Sequence, residues 1–314
     1  MGIIRGGDSE YEEHEPSFEE KTAEWQKTLQ PLLEEEPGTL KLSGRYISSD
    51  DVKIICNYPG IKTVRVLDLA DNQVNDEALP VLFESENLAQ LEELYLGINF
   101  LIGEGLTEIA CSSQIKLGNL KKLVISDNRL TDASVADFIR SKNFPNLESL
   151  DVGWNEVGNE TAKALAEATS FSGLKTLILE RSYIEIEGLK EMVQGDLMDQ
   201  LQELNISANK FKDEAVQMIA KTPKWKSLKI LRLSQNMFGD PGAKALGEST
   251  SLSGLTHLYA GRNYFGNEGA QAIHESKTLI NLKTLVLKEG VEEDVGLVNY
   301  SRPELLRPDD PNSI

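Results

Sequence analysis

The chain has 314 residues, of which 51 are acidic and 32 basic, so its formal net charge is −19 at pH 7. This charge excludes nucleic acid as the main ligand, because phosphate binding needs a basic surface. No apolar run reaches the length of about eighteen residues that a transmembrane helix requires, so no membrane contact is predicted either.

Two predicted segments precede the main body of the chain. Residues 1–16 are rich in Asp and Glu and predict a disordered acidic tail. Residues 17–38 predict a capping helix, because Ser17 and Glu20 match a capping box and four apolar residues then fall on one helical face. Two interpretations of this helix remain open: it closes the apolar end of the repeats that follow, or it binds a partner.

Residues 39–290 repeat one phrase of eleven residues. Its clearest copy, Leu201–Phe211, reads L-x-x-L-x-L-x-x-N-x-F. The asparagine in the ninth slot recurs every 27 residues, apart from one interval of 29. It stands at Asn72, Asn99, Asn128, Asn155, Asn209, Asn236 and Asn263, with Ser182 where another asparagine is expected. Self-similarity at a fixed period predicts a solenoid, here of ten turns with two degenerate outer copies.

Each turn of the solenoid predicts a strand followed by a helix. Apolar and exposed residues alternate in the middle of the phrase, as they do in a strand. The ninth-slot amide is expected to be buried and to bond backbone groups that are left unpaired where the chain turns inward. Four residues later, most turns have a residue that predicts a helix N-cap. These residues are Asp76, Asp132, Asn159, Asp213, Asp240 and Asn267.

The phrase and its spacing resemble the leucine-rich repeat family. The period of 27 residues resembles the ribonuclease-inhibitor-like class, which also includes the GTPase-activating protein of Ran and the sensor regions of NOD-like receptors. This resemblance implies a right-handed α/β horseshoe, with a parallel inner sheet of about ten strands and helices outside.

The phrase is lost after residue 290. Residues 291–314 are charged and interrupted by prolines, and we expect them to form a C-terminal cap and tail. The two cysteines, Cys56 and Cys111, are predicted to lie too far apart for a disulfide. We therefore expect a reducing, cytoplasmic location.

No arrangement of residues in the sequence predicts a catalytic centre, a metal site or a cofactor site. The three histidines are scattered, and neither a zinc-protease helix nor a nucleophile elbow is present. Residues 221–229 interleave four lysines with Trp225, which allows two interpretations. They form a patch for acidic groups, or a solvated loop whose tryptophan folds over the edge of the repeat.

The inner face of the predicted sheet carries the best functional signal. Large aromatic residues stand at slots that need no apolar side chain, and the charges change from acidic in early turns to basic in late turns. Tyr, Trp and Arg are the residue types enriched at binding hot spots. The candidate partner-binding residues are Tyr95, Asp151, Trp154, Arg181, Arg232, Tyr259 and Arg262.

These features predict a monomeric, non-catalytic module that binds a protein on its concave face. Two rival functions remain open: a GTPase-activating protein of the Ran type, and a bacterial effector acting in a host cytosol. An assay with candidate small GTPases separates the first rival from a binding module.

Overall fold

The computed structural model describes residues 17–287, which form a single parallel sheet of ten strands whose spatial order follows the chain. Each strand is three residues long. The strands are β1 Thr39–Lys41, β2 Val66–Asp68, β3 Glu93–Tyr95, β4 Lys122–Val124, β5 Ser149–Asp151, β6 Thr176–Ile178, β7 Glu203–Asn205, β8 Ile230–Arg232, β9 His257–Tyr259 and β10 Thr284–Val286. The predicted acidic tail 1–16 and the C-terminal cap and tail 291–314 lie outside the described residues.

One helix precedes the first strand, and the others connect consecutive strands. They are α1 Phe18–Glu35, α2 Ser49–Asn57, α3 Ala78–Phe83, α4 Glu104–Cys111, α5 Asp132–Arg140, α6 Asn159–Glu167, α7 Ile186–Met192, α8 Leu197–Gln200, α9 Asp213–Lys221, α10 Asp240–Glu248 and α11 Asn267–His274. Neighbouring strands are about 4.8 Å apart, whereas packed helices need about 8–10 Å. The helix side of each turn is therefore wider than the strand side, which puts the sheet on the inside of the curve and confirms the predicted fold class.

The hydrophobic core lies between the sheet and the helices and runs through the whole solenoid. The central residue of each of the ten described strands is a leucine with no exposed surface, as at Leu150. Its neighbours on the strand, Ser149 and Asp151, are half-buried on the concave face. The alternation predicted for the phrase is therefore present in the strands.

The ninth-slot asparagines form the predicted buried column. In Asn155, Nδ2 donates to the carbonyls of Ile125, Val152 and Gly153 at 3.0, 3.1 and 3.1 Å. Its Oδ1 accepts a bond from the N–H of Leu130 at 3.0 Å. Each amide thus bonds its own turn and the preceding turn, which ties the repeats together.

Ser182 interrupts this column. Its shorter side chain donates one hydrogen bond, to the carbonyl of Leu179 at 3.0 Å. That contact matches the one that Asn155 makes with Val152, three residues back. Its hydroxyl makes no bond to the preceding turn among the described residues, so the chain is less tightly joined there.

The residue before each column position adopts a left-handed backbone conformation, with φ between 50° and 57°. This residue occupies the eighth slot, where the chain turns away from the sheet. The eighth-slot residues are Asp71, Ile98, Asp127, Trp154, Arg181, Ala208, Gln235 and Arg262. L-residues rarely adopt this conformation, so the turn is imposed by the column and the core on both sides of it.

The predicted N-cap residues act on a different helix from the one expected. Asp132 is the first residue of α5, and its carboxylate accepts bonds from the N–H groups of Gly158, Glu160 and Thr161, at 2.8, 2.9 and 2.9 Å, where α6 begins in the next repeat. Asp76, Asp213 and Asp240 make the same contact with the following repeat. The prediction that these residues cap their own helices is therefore wrong, because Asp132, Asp213 and Asp240 are the first residues inside those helices rather than the residues before them.

This carboxylate ladder is interrupted at Gly103, at Asn159, which offers an amide oxygen instead, and at α7. The first residue of α7 is Ile186, which has no oxygen to offer to the next repeat. Among the described residues, no side chain accepts a bond from the N–H groups at the start of α9, the helix of that next repeat. The interruption at α7 falls in the same turn as Ser182, so one repeat departs from the pattern in two layers.

Helix α1 packs against the first turn of the solenoid. The capping box is present, with the Glu20 carboxylate accepting from the Ser17 N–H at 2.8 Å and Ser17 Oγ accepting from the Glu20 N–H at 3.3 Å. Leu29 is fully buried in the common core. Trp25 Nε1 donates to Asp51 of α2 at 2.9 Å. These contacts join α1 to the repeat body.

Candidate functional site

Trp154 and Arg181 form an exposed pair on adjacent turns, both in the eighth slot. The Arg181 guanidinium lies over the indole ring, 4.1 Å from its centroid. The indole is 43% exposed, although the same slot holds Ala208 and Gln235 in later turns. A tryptophan is therefore not required there by the core, and the cation holds its ring in one orientation.

Glu180 completes this pair, although the sequence analysis did not select it. Its Oε1 accepts a bond from Trp154 Nε1 at 3.3 Å, and its Oε2 accepts one from Asn205 Nδ2 at 3.0 Å. It therefore links three successive turns. The sequence does distinguish Glu180, because the other seventh-slot residues from position 70 to position 261 are all Ala, Gly or Ser.

Tyr95 lies on β3, two strands before Asp151 in the same row of the sheet register. Its hydroxyl donates to the Glu93 carboxylate at 2.6 Å, and Lys122 Nζ lies 4.9 Å from the ring centroid. Burial, followed by the bond to Glu93, raises the pKa of Tyr95 above its ordinary value. The ring is half-buried, so it offers less surface to a partner than Trp154 does.

The Asp151 side chain stabilises the turn at the end of β5. Its Oδ1 accepts a bond from the Gly153 N–H at 3.0 Å. Asp68 and Asn205 make the same contact two residues ahead, at 2.9 and 3.0 Å. Burial raises the pKa of Asp151, and the nearby Glu180 charge adds to the rise, while the bond from Gly153 opposes it. Asp151 thus supports the turn that presents Trp154.

The remaining candidates, Arg232, Tyr259 and Arg262, lie late in the sheet. The Arg232 guanidinium lies 4.2 Å from the Tyr259 ring centroid, and its Nε donates to Glu203 at 3.1 Å. Tyr259 lies within strand β9 and is only 4% exposed. The prediction that Tyr259 contacts a partner is therefore corrected: its ring packs against the Arg232 guanidinium. Arg262 is exposed and has the left-handed eighth-slot conformation.

We name the turns that follow the strands, slots eight to twelve of each repeat, the strand-end rim. Among the described residues, nine large apolar side chains are exposed, and seven of them lie on this rim. They are Tyr46, Ile98, Phe100, Ile102, Trp154, Tyr183 and Tyr264. Exposed apolar residues gathered on one edge of a protein are typical of an interaction surface.

A groove of about 630 Å³ opens on the strand-end rim beside the Ser182 turn. Trp154 and Tyr183 border it, and Ile184 and Phe211 form buried parts of its lining. Its cations are Arg181, Lys210 and Lys212, and its carboxylates are Glu185 and Glu214. The groove lies at the repeat where the column and the carboxylate ladder are both interrupted.

The opposite rim, where the strands begin, has a different character. We name it the strand-start rim and define it by the second slot of each phrase. There Glu92 accepts bonds from Arg65 at 3.2 Å and from Lys121 at 2.7 Å, and Glu148 accepts one from Lys175 at 2.7 Å. From Arg65 to Lys175, the charges of this rim therefore neutralise one another between repeats.

The lysine-rich segment 221–229 is built into the repeat. Trp225 is 1% exposed, and its Nε1 donates to the Ile219 carbonyl at 2.9 Å. Lys224 and Lys226 each pair with an aspartate of the preceding repeat, at 2.8 Å. The tryptophan therefore belongs to the core, as the second interpretation of this segment predicted.

Neither a metal site nor a membrane span is found in the described part of the chain. Residues 17–287 contain no group of three or more His, Cys, Asp or Glu side chains placed to hold a metal ion. Within the same residues, no helix combines the length and apolar character of a membrane span.

Comparison with protein families identifies the repeat. The leucine-rich repeat model matches residues 61–80, 145–166, 201–220 and 226–247. The chain contains leucine-rich repeats. No curated protein matches the sequence.

Solved structures with a similar repeat architecture come from plants and bacteria. The plant peptide hormone receptor RGFR1 in complex with RGF2 is 19% identical over 78% of this chain and 38% of that chain, with a TM-score of 0.43. The Arabidopsis receptor kinase HAESA, in complex with the peptide hormone IDA and the co-receptor SERK1, is 20% identical over 86% and 46%, with a TM-score of 0.46. An internalin (inlF) from Listeria monocytogenes is 20% identical over 87% and 88%, with a TM-score of 0.40. The chain spans less than half the length of both plant receptor chains.

Proposed function

We propose that this chain is a non-catalytic module that binds a protein partner on the concave face where it meets the strand-end rim, around Trp154 and Arg181. The observation that supports the proposal best is the exposed indole at a slot that needs no apolar residue. Trp and Arg are the residue types that contribute most to binding energy at protein interfaces. The cation–π contact fixes the ring before binding, which lowers the entropy lost on association.

The finer classification is also a proposal. We infer that the repeats belong to the ribonuclease-inhibitor-like class, which the period of 27 residues and the helix in each complete turn favour. We propose a reducing, cytoplasmic location for the chain. The free thiols of Cys56 and Cys111 support it, because disulfides form and persist in oxidising compartments.

The test is affinity capture from source cells, followed by measurement of the dissociation constant for the captured partner. Trp154→Ala should raise the dissociation constant about 30-fold, which corresponds to about 2 kcal/mol at a hot spot. The variant should fold normally, because alanine already occupies the eighth slot at Ala208 with the same backbone conformation.

Ile280→Ala is the matched control. Ile280 is 76% exposed but does not lie on the strand-end rim, so its replacement removes a comparable apolar surface from elsewhere. The partner should bind this variant as it binds the wild type. Equal affinity of the Trp154→Ala and wild-type proteins for every captured partner would refute the proposed site.

A further inference from the structure

The groove beside the Ser182 turn indicates what kind of chain the partner presents, an inference that rests on the proposed function. The groove adjoins the Trp154–Arg181 pair, so a protein bound there would reach it. Its walls combine exposed aromatic rings with charged side chains, and its floor includes the buried Phe211.

The cations of the groove have no anionic partner of their own. Arg181 makes only its contact with the Trp154 ring, and the exposed Lys210 and Lys212 form no ion pair among the described residues. Of the two carboxylates at the groove, Glu185 accepts a hydrogen bond from Asn159 Nδ2 at 3.1 Å. Three cations that form no ion pair with a described residue therefore lie together at one groove, in a chain whose net charge is −19.

The long-range field reinforces this local pattern. An acidic segment is repelled by most of this surface and attracted to a few basic places, which steers it toward them. Four lysines on the strand-start rim and in residues 221–229 offer no equal attraction, because carboxylates of this chain already pair with them: Lys121, Lys175, Lys224 and Lys226. The groove is thus where an acidic segment gains most.

The interrupted repeat suits such an occupant. In four other turns an aspartate caps the helix of the next repeat: Asp76, Asp132, Asp213 and Asp240. At the groove, Ile186 takes that position, and the shorter Ser182 replaces an asparagine. The opening therefore lies where the chain lacks the aspartate that the following turn has at Asp213.

We propose that the groove binds an acidic segment of the partner protein. Its carboxylates contact Arg181, Lys210 and Lys212. A large apolar side chain of the same segment lies against the rings of Trp154 and Tyr183, of which Tyr183 is 67% exposed.

A random dodecapeptide library displayed on phage tests the proposal against the full-length protein. Peptides selected by the wild type should be enriched in Asp and Glu, with an aromatic or large aliphatic residue among them. Synthetic copies should lose affinity about tenfold or more for Arg181→Glu/Lys210→Glu/Lys212→Glu, and they should bind more weakly as salt is raised. Circular dichroism should confirm that the variant is folded.

The matched control changes the same charge on the opposite rim. Lys121→Glu/Lys175→Glu/Lys229→Glu alters the net charge equally but leaves the groove intact, so the selected peptides should bind it nearly as well as the wild type. Equal losses in both triple variants would overturn the proposal, since only the overall charge would then matter. Selected peptides without an acidic excess, or no selected peptide at all, would also overturn it. If any of these results were obtained while Trp154→Ala still lost the captured partner, the acidic-segment proposal would fail but the proposed function would stand.

Discussion

The two rims of the solenoid are built from the same repeats, yet they differ in whether their side chains are paired within the chain or exposed. On the strand-start rim, Arg65, Glu92 and Lys121 form a chain of ion pairs from one repeat to the next. On the strand-end rim, aromatic rings are exposed, and Lys210 and Lys212 form no ion pair with any described residue. Charges that are paired within the chain have little to gain from a partner, whereas the strand-end rim leaves both apolar surface and charge available.

Structural layers lie in and beside the strand-end rim, so the side chains of this region fall into two groups. The asparagine column and the carboxylate ladder bond backbone groups of neighbouring turns, as Asn155 and Asp132 do. The side chains of Trp154 and Arg181 make no bond to the backbone of any described residue. Side chains that satisfy the backbone hold the fold, and the others are free to bind a partner.

The largest expected effect distinguishes the core from the rim within one turn. Leu150→Ala should lower the free energy of unfolding by about 2–5 kcal/mol, because it opens a cavity under the sheet. Trp154→Ala, four residues later, should change that free energy little. Urea unfolding of both variants measures the difference. A Trp154→Ala protein as unstable as Leu150→Ala would make the indole a structural residue.

The carboxylate ladder should give the next effect. Asp132→Ala leaves three N–H groups at the start of α6 without their acceptor and should cost about 1–2 kcal/mol, the usual cost of losing a helix cap. Asp132→Asn is the control and should recover part of the loss, since Asn159 Oδ1 accepts from the Glu185 N–H at 3.0 Å in the next repeat. An Asp132→Ala protein that melts like the wild type would mean that water caps α6 equally well.

A smaller effect, dependent on pH, is expected from Asp151. Burial raises the pKa of Asp151 in the folded state. Protonation of Asp151 therefore stabilises the fold at pH values below the pKa of the unfolded state, and this stabilisation is lost as the pH rises through the pKa of the folded state. Asp151→Asn should therefore be more stable than the wild type at pH 7, and the difference should shrink toward pH values of about 4 and below. Asn205 fills the same slot and bonds the Ser207 N–H at 3.0 Å, so asparagine fits the turn. Urea unfolding across this range measures the difference, and a constant value at every pH would contradict the assignment.

The smallest effect is expected on the strand-start rim. Lys175→Ala breaks an exposed ion pair with Glu148, and such pairs contribute little to stability, so the melting temperature should not change measurably. Partner binding should not change either. Lys212→Ala should leave the melting temperature equally unaffected but weaken partner binding. Two lysine variants that lose the partner equally would remove the distinction between the rims.

The architecture could be predicted from the sequence because one phrase encodes a strand, a buried amide and the start of a helix. The left-handed eighth slot could not, because residues as different as Ile98, Trp154 and Arg181 occupy it and none is glycine. The helix caps were assigned to the right residues but the wrong helix. Contacts 26 to 29 residues apart are not visible in a local pattern, as Asp132 shows.

The candidate surface was predictable only in part. Trp154 and Tyr259 look alike as inner-slot aromatics, and an arginine lies over each ring, but Tyr259 lies in strand β9 and is buried, whereas Trp154 lies in the turn after β5 and is exposed. The aromatic residues of the strand-end rim, such as Tyr183, lie beyond the slots that were read as inward-facing. The groove lies where Ser182 stands in place of an asparagine and Ile186 in place of an aspartate. The absence of an expected polar group gives a weak signal in a sequence.

Docking of the partner on the strand-end rim is tested most directly by lysine acetylation of the free protein and of its complex with the captured partner, read by mass spectrometry. Lys210 and Lys212 should react more slowly in the complex, while Lys121 and Lys175 should react at the same rate in both states. Protection of Lys121 and Lys175, with Lys210 and Lys212 unchanged, would contradict docking on this rim.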